Sequence, residues 1–338
     1  MSPLPAALPI CCDNPSRSML TRTDTARNHG LDCLKAIAAC LIVFVHVPFP
    51  RPFGLYVAYV GVMSVSIFFM VSGYFSLGAS RQKLYRAIKR TLVYLLVAEV
   101  LYLLKKLVMG GYDWQGLFDF LMNEVLTLEH LFKVLIISQS KICFLAWFLI
   151  SLLVCYVMRL LLGKRLRILG IVGFLVAVVV SLPPIDNHFD FPVSNAWLWG
   201  IPFFTLGEWI HEHETKILDT LSRPMLVGGC LLGLAVILVS RYCGTQWWYL
   251  GYCLLAPALF LLFVRCDMSA HWFCVLGSTY AFFIYIMHPI VSACYYAVRV
   301  NPGVLESWLR PLIVLVMTVL LAIVYYSIKS VIAARVRR

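Results

Sequence analysis

Charge is scarce in this chain. Asp, Glu, Lys and Arg make up 13% of its 338 residues, where globular proteins average about 25%. That leaves too little polar surface to cover a soluble domain of this size. Acidic residues are scarcer still, 16 against 28 Lys and Arg, which sets the net charge at +12. The chain also lacks a Gly-rich phosphate loop, a GxSxG elbow and an internal repeat. Its first 28 residues hold no apolar core long enough for a signal peptide. The 12 cysteines are scattered at no metal-ligand spacing, and most fall inside apolar runs. They read as small apolar residues, not as a disulfide framework or a zinc site, and no metal is expected.

What is abundant is hydrophobic residue, 62% of the chain, in runs that repeatedly exceed the length of a bilayer crossing. The expected fold is all-α, a polytopic membrane protein of about ten transmembrane helices. The spans are read at 31–47, 55–79, 91–109, 142–162, 168–183, 196–211, 224–240, 246–265, 273–299 and 309–332. Residues 1–28 read as a loose cytoplasmic tail, 29–333 as the membrane domain and 334–338 as a basic end. LPIC at Leu8–Cys11 is a chance likeness to a lipidation box, because no charged and apolar region precedes it.

An even number of spans puts both termini on one side, and most of the Lys and Arg then lie in the inner connections. Short cytoplasmic loops carry that excess, so the topology reads N-in and C-in. The basic balance is thereby a topology signal, with the lipid bilayer as the expected partner and no nucleic acid. Trp114, Trp147, Trp197, Trp199, Trp247, Trp248 and Trp308 fall near the outer face as an interfacial belt, with a sugar-stacking surface as the sharper alternative. The connection from Gly110 to Lys141 includes WQGLFDFLMNEVLTLEHLF, amphipathic enough for a surface or re-entrant helix and too polar to span.

Ionisable groups within hydrocarbon are costly, about 2.5–3.5 kcal/mol at a helix centre on insertion scales, and mark functional cavities by default. In LDCLKAIAACLIVFVHV the cation Lys35 and the imidazole His46 are eleven positions apart. At about 100° per residue they project from one helix face, roughly 16 Å apart along the axis. Taken alone, His46 also fits a hydrogen-bonded helix-end histidine, and Lys35 fits a side chain snorkelling to the inner interface. Ser278, Tyr285 and His288 share a broad face of the ninth span, where Pro289 removes a helix donor; a site and a capped kink are both open. Ser72 and Gly73 in FFMVSGYF are equally suited to close helix packing. Arg86 and Arg90 belong to a basic turn that by itself is only a topology signal.

Together these stretches resemble the acyltransferase-3 family of membrane O-acyltransferases. LDCLKAIAACLIVFVHV is similar to the family's opening of a Leu-Asp pair, a basic residue, ten apolar positions and a histidine. FFMVSGYF and the basic YRAIKR after it, WFLISLL, IPFFTLGEWI and STYAFFIYIMHP are similar to later segments in the family's order, so the likeness covers nearly the whole chain. Lys35 departs from a frequent arginine, which exchanges a bidentate fork for a point charge, and Cys33 departs from a frequent glycine.

The resemblance implies transfer of an acyl group, most often acetyl, from cytoplasmic acyl-CoA to a hydroxyl of a cell-surface glycan or lipid-linked sugar, in a bacterial cytoplasmic membrane. His46 would act as base or as a transient acyl carrier. Lys35 would hold the donor, with Arg86 and Arg90 attracting its phosphates. Tyr285, His288, Ser72 and Ser278 would orient His46 or donate to the oxyanion. The chain is expected to lack the extracytoplasmic hydrolase-like domain of larger relatives, which leaves the 110–141 connection and the 183–197 loop as acceptor-side candidates. A proton-coupled transporter or flippase of a sugar-bearing or anionic substrate is the alternative reading. A structural membrane subunit ranks last, since it leaves His46 and His288 without a role.

Overall fold

The computed structural model describes residues 28–181, 194–245, 247–266, 271–298 and 303–336. The N-terminal tail with LPIC, most of the 183–197 loop and the last two residues lie outside the described residues. Among the described residues the chain forms helices and no strand.

The first helix, α1 (His29–His46), starts where Asn28 accepts a hydrogen bond from the Leu31 amide at 3.0 Å, an N-cap that satisfies one of the helix's orphan donors. It ends before Pro48, as a missing amide donor requires. Leu31, Leu34, Ala36, Ala38, Ala39 and Val43 are fully buried, because α1 is enclosed by its neighbours. The chain returns through α2 (Phe53–Gly61) and α3 (Met63–Tyr74), then enters the long helix α4 (Arg81–Met109), capped by Ser80 on the Lys83 amide.

The connection that is too polar to span folds as two short helices, α5 (Trp114–Phe120) and α6 (Leu128–Ile137), joined through a π-helical turn at Leu121–Val125. Asp113 and Thr127 cap them, and Ser138 stops α6 in the left-handed region at φ 58°.

Two helices follow, α7 (Ala146–Leu162) and α8 (Leu166–Val180), separated by a turn at Gly163 with φ 56°. Both lean on a π-helical turn, Ala196–Gly200, and the helix continuing it, α9 (Ile201–Glu212). Cys155 touches Gly200 and Arg159 meets Glu208, so α7 runs with α9. Arg167 meets Glu212, Gly170 meets Thr205 and Gly173 meets Trp197, so α8 runs against it. The two are therefore an antiparallel hairpin.

After the short α10 (Glu214–Thr220) come α11 (Arg223–Tyr242), α12 (Trp248–Arg265) and α13 (Trp272–Val275). A third π turn at Leu276–Tyr280 leads into α14 (Ala281–Val298), and α15 (Val304–Val336) closes the bundle.

Among the described residues seven segments are long and apolar enough to cross a membrane, one of them the 35-residue stretch Ala146–Val180 that holds the α7–α8 hairpin. Two of the ten expected spans fall outside this set for physical reasons. The apolar part of α4 carries Glu99, Lys105 and Lys106, and the 196–212 stretch is short and split by its π turn. Wide apolar faces remain bare, as at Val316, Leu320, Val324 and Ile328 of α15, which suits contact with lipid. The protein is an all-α, multi-pass membrane protein. Glu208, within the expected 196–211 span, is fully buried inside α9 and paired with Arg159 at 2.6 Å.

Candidate active site

The residues singled out in the sequence gather at two depths of the bundle. The outer limit of the first group is α4, whose Lys83, Arg86 and Arg90 recur at helical spacing along one face. They overhang a cavity of about 500 Å³ whose other walls carry Lys35 from α1, Ser72 from α3, Tyr156 from α7 and Ser278 from the third π turn. Among the described residues, four cations and no carboxylate line this cavity. Lys35 is held by Asp32 at 2.7 Å, three residues earlier on α1. The volume lies within the ordinary range of small-molecule sites.

Two close backbone approaches shape this cavity. A Cβ on Gly73 would sit 1.8 Å from the carbonyl oxygen of Phe204, and one on Gly277 would sit 1.8 Å from that of Asp32. Only glycine lets α3 meet α9, and the third π turn meet α1, at those distances. The π turn itself breaks the regular helix where Gly277, Ser278 and Thr279 face the cavity; such bulges commonly mark functional positions.

The inner wall of the cavity is apolar. Phe68, Ala281 and Phe282 line both the cavity and a gap of about 10 Å³ completed by Phe148 and Tyr285. That gap holds at most about one water. On its far side the ring of Tyr285 stands 6.4 Å from that of His288, and His288 stands 5.3 Å from His46. An aromatic constriction therefore separates the basic cavity from a pair of imidazoles.

The histidine pair is asymmetric. His288 is fully buried, with Nδ1 2.9 Å from the Ile284 carbonyl, and its Nε2 has no hydrogen-bond partner among the described residues. A neutral ring donating Nδ1–H to that carbonyl presents the Nε2 lone pair. His46, at the end of α1, is exposed, with Phe144 edge-on at 5.3 Å. A base must be both positioned and reachable, and this pair combines a fixed ring with an open one.

The 138–145 connection forms the remaining wall. Phe144 packs on His46, and the Tyr285 hydroxyl donates to the Leu145 carbonyl. Behind it, Tyr102 of α4 packs edge-on against Phe144 at 6.1 Å. One turn earlier, half-buried Glu99 faces Ser140, and its Oε2 is buried without a hydrogen bond among the described residues.

The expected site residues are thus divided. Lys35, Ser72, Arg86, Arg90 and Ser278 share the cavity, while His46, Tyr285 and His288 lie beyond the constriction. Ser72 and Ser278, expected to be able to orient His46, are instead companions of the cations. Ser278 is ten residues before His288, about 15 Å along a helix. The Tyr285 hydroxyl is committed to Leu145 and braces the connection, not His46. Sequence reasoning missed Glu99 and Phe144. Glu99 carried the same signal as His46, an ionisable group in an apolar run, whereas Phe144 had none.

The family model described as an acyltransferase domain matches residues 28–327, nearly the whole chain. No curated protein and no solved structure matches. The match decides between enzyme and carrier in favour of the enzyme: the chain belongs to the acyltransferase-3 family and is a membrane O-acyltransferase.

Proposed function

We propose that the protein transfers an acyl group, acetyl in the first instance, from cytoplasmic acyl-CoA to a hydroxyl of a cell-surface glycan or lipid-linked sugar. The membrane is the bacterial cytoplasmic membrane, with residues 29–333 as the catalytic domain and both ends of the chain in the cytoplasm. One observation carries this reading. A cavity lined, among the described residues, by four cations and no acid backs onto an aromatic constriction, with two histidines behind it. A coenzyme A donor is an anion at one end and a thioester at the other, joined by a slender arm. Lys83, Arg86 and Arg90 suit its phosphates, and Lys35 the arm's polar groups. The aromatic gap suits the arm's narrow end. From Lys35 to His46 is eleven residues of α1, about 16 Å, the distance such an arm spans.

In the transfer step the acceptor hydroxyl oxygen attacks the thioester carbonyl carbon. His46 takes the hydroxyl proton, the carbon–sulfur bond breaks, and the thiolate leaves toward the basic cavity, where a proton or a cation neutralises it. His288 holds the second imidazole against His46, its Nε2 lone pair available to steady a protonated neighbour. The alternative route first moves the acyl group onto His46 as an acyl-imidazole, which the acceptor then attacks.

The test supplies radiolabelled acetyl-CoA to membranes containing the protein or its His46→Ala variant, and follows label into glycan and lipid fractions. Label that depends on His46 supports the proposal. Equal labelling by both proteins would remove His46 from the chemistry, and no labelling with any acyl-CoA would overturn the donor assignment.

A further inference from the structure

Away from the histidine pair, at the end of the bundle where α1 begins, three soft ligand groups from distant parts of the chain converge. Cys33 Sγ lies 3.0 Å from Cys274 Sγ and 3.7 Å from His271 Nε2. All three atoms fall within 4.8 Å of one another. We propose that Cys33, His271 and Cys274 bind a zinc ion that ties the start of α1 to α13.

Tetrahedral zinc with sulfur at about 2.3 Å and nitrogen at about 2.0–2.1 Å requires neighbouring ligands roughly 3.6–3.8 Å apart. The Cys33–His271 distance already meets this, and the two sulfurs need to part by about 0.8 Å. Both thiols are buried, while His271 is exposed, so the site has a fixed floor and an entry path from solvent, as metal loading requires.

The convergence is enforced by backbone, not by the thiols themselves. A Cβ on Gly30 would lie 2.0 Å from the Phe263 carbonyl oxygen and 3.1 Å from that of Cys266; one on Gly277 would lie 2.7 Å from the Ala36 amide nitrogen. These two contacts clamp α1 between the end of α12 and the third π turn, on either side of Cys33. Cys266 caps the end of α12 beside this junction.

On the topology proposed above, this end faces the cytoplasm, where thiols are kept reduced and a cysteine–histidine cluster is more suited to metal than to a disulfide. Zinc enters as a divalent cation, two Sγ–H protons leave to water, and His271 contributes its Nε2 lone pair. The site lies one turn from Lys35 and Gly277, which line the basic cavity, so the metal would brace a cavity wall without meeting the donor. The inference does not depend on acyl transfer.

The experiment uses the full chain, purified in detergent under reducing conditions. Its zinc content is measured by elemental mass spectrometry, and the chelated protein is titrated with Co²⁺ while thiolate-to-cobalt charge-transfer absorption is followed. The expected result is one saturable metal per chain with that absorption. Cys33→Ser and Cys274→Ser should abolish it. His271→Ala, a change at an exposed position, should keep the absorption but weaken binding at least about tenfold. Should the cysteine variants fail to elute as a single species, His271→Ala and the wild-type spectrum decide. Cobalt binding without thiolate absorption, affinity unchanged in His271→Ala, or a Cys33–Cys274 disulfide in protein alkylated directly from cells would overturn the proposal.

Discussion

His46 and His288 face each other with ring centroids 5.3 Å apart, one closing the first helix and the other buried in the second-to-last. The exposed ring and the buried ring have different work. Removing the exposed one should stop chemistry while leaving the bundle intact. A positioned general base contributes about 10²–10⁴-fold in rate, so His46→Ala should lower kcat by that order with the donor KM little changed. Turnover of labelled acetyl-CoA in membranes measures it; a variant that keeps more than about a tenth of wild-type kcat would remove the role.

The basic cavity makes a different prediction. Arg90→Ala and Arg86→Ala should each raise the apparent KM for the donor about three- to tenfold, up to about 1.4 kcal/mol, and leave kcat nearly unchanged. Because both arginines are exposed, their contribution should shrink as ionic strength rises and the charges are screened. A donor lacking its 3′-phosphate would be less affected by the loss of whichever arginine binds that group. If KM stays constant across these variants at low salt, the phosphates bind elsewhere.

Tyr285 separates a positioning role from a catalytic one. Its hydroxyl donates to the Leu145 carbonyl, and its ring lines the constriction beside Phe148. Tyr285→Phe keeps the ring and leaves the Leu145 carbonyl only the Phe148 amide, at 3.3 Å, a net loss of about 0.5–1.5 kcal/mol for one hydrogen bond. The 138–145 connection should loosen, and kcat should fall with the donor KM preserved. Faster proteolysis within residues 138–145 would show the loosening directly. Unchanged proteolysis together with an unchanged kcat would assign the hydroxyl no part in holding that wall.

Glycine contacts can be tested against each other. Gly277→Ala places a methyl group 1.8 Å from the Asp32 carbonyl oxygen, whereas a Cβ at Gly228 meets nothing within 4 Å. Overpacking a close backbone contact costs about 1–3 kcal/mol or more. Gly277→Ala should therefore lower Tm by several degrees, while Gly228→Ala should change it little. Equal shifts would mean that the third π turn does not lie against α1 this tightly.

How much of this was legible in advance differs from residue to residue. The helices follow from apolar run length, and their ends from Asn28, Ser80, Pro48 and Gly163, because capping and breaking are local. Lys35 and His46 stood out because charge within an apolar run has few innocent explanations. Glu99, an acid in the apolar part of α4, carries the same signal. The division of Ser72 and Ser278 from His46 was hidden, since the π turn at Leu276–Tyr280 and the glycine contacts depend on which helix lies opposite. The meeting of Cys33 with His271 and Cys274 was hidden more thoroughly. No spacing within one segment announces a cluster assembled from both ends of a chain.

The ion pair of Arg159 and Glu208 shows what burial does to a charge held between two packed helices. Glu208 is fully buried, and the Arg159 side chain, 2.6 Å away, is only 11% exposed. Removing one partner of such a pair typically costs about 3–5 kcal/mol, since the other charge is left desolvated, whereas replacing both with apolar residues of similar size is often neutral. Arg159→Met should thus lower Tm sharply, and Arg159→Met with Glu208→Leu should recover most of the loss. Because the pair joins α7 to α9 beside the cavity wall at Tyr156, the double variant should also regain donor binding. A double variant as unstable as the single one would show that the pair holds the hairpin through geometry that apolar packing cannot supply.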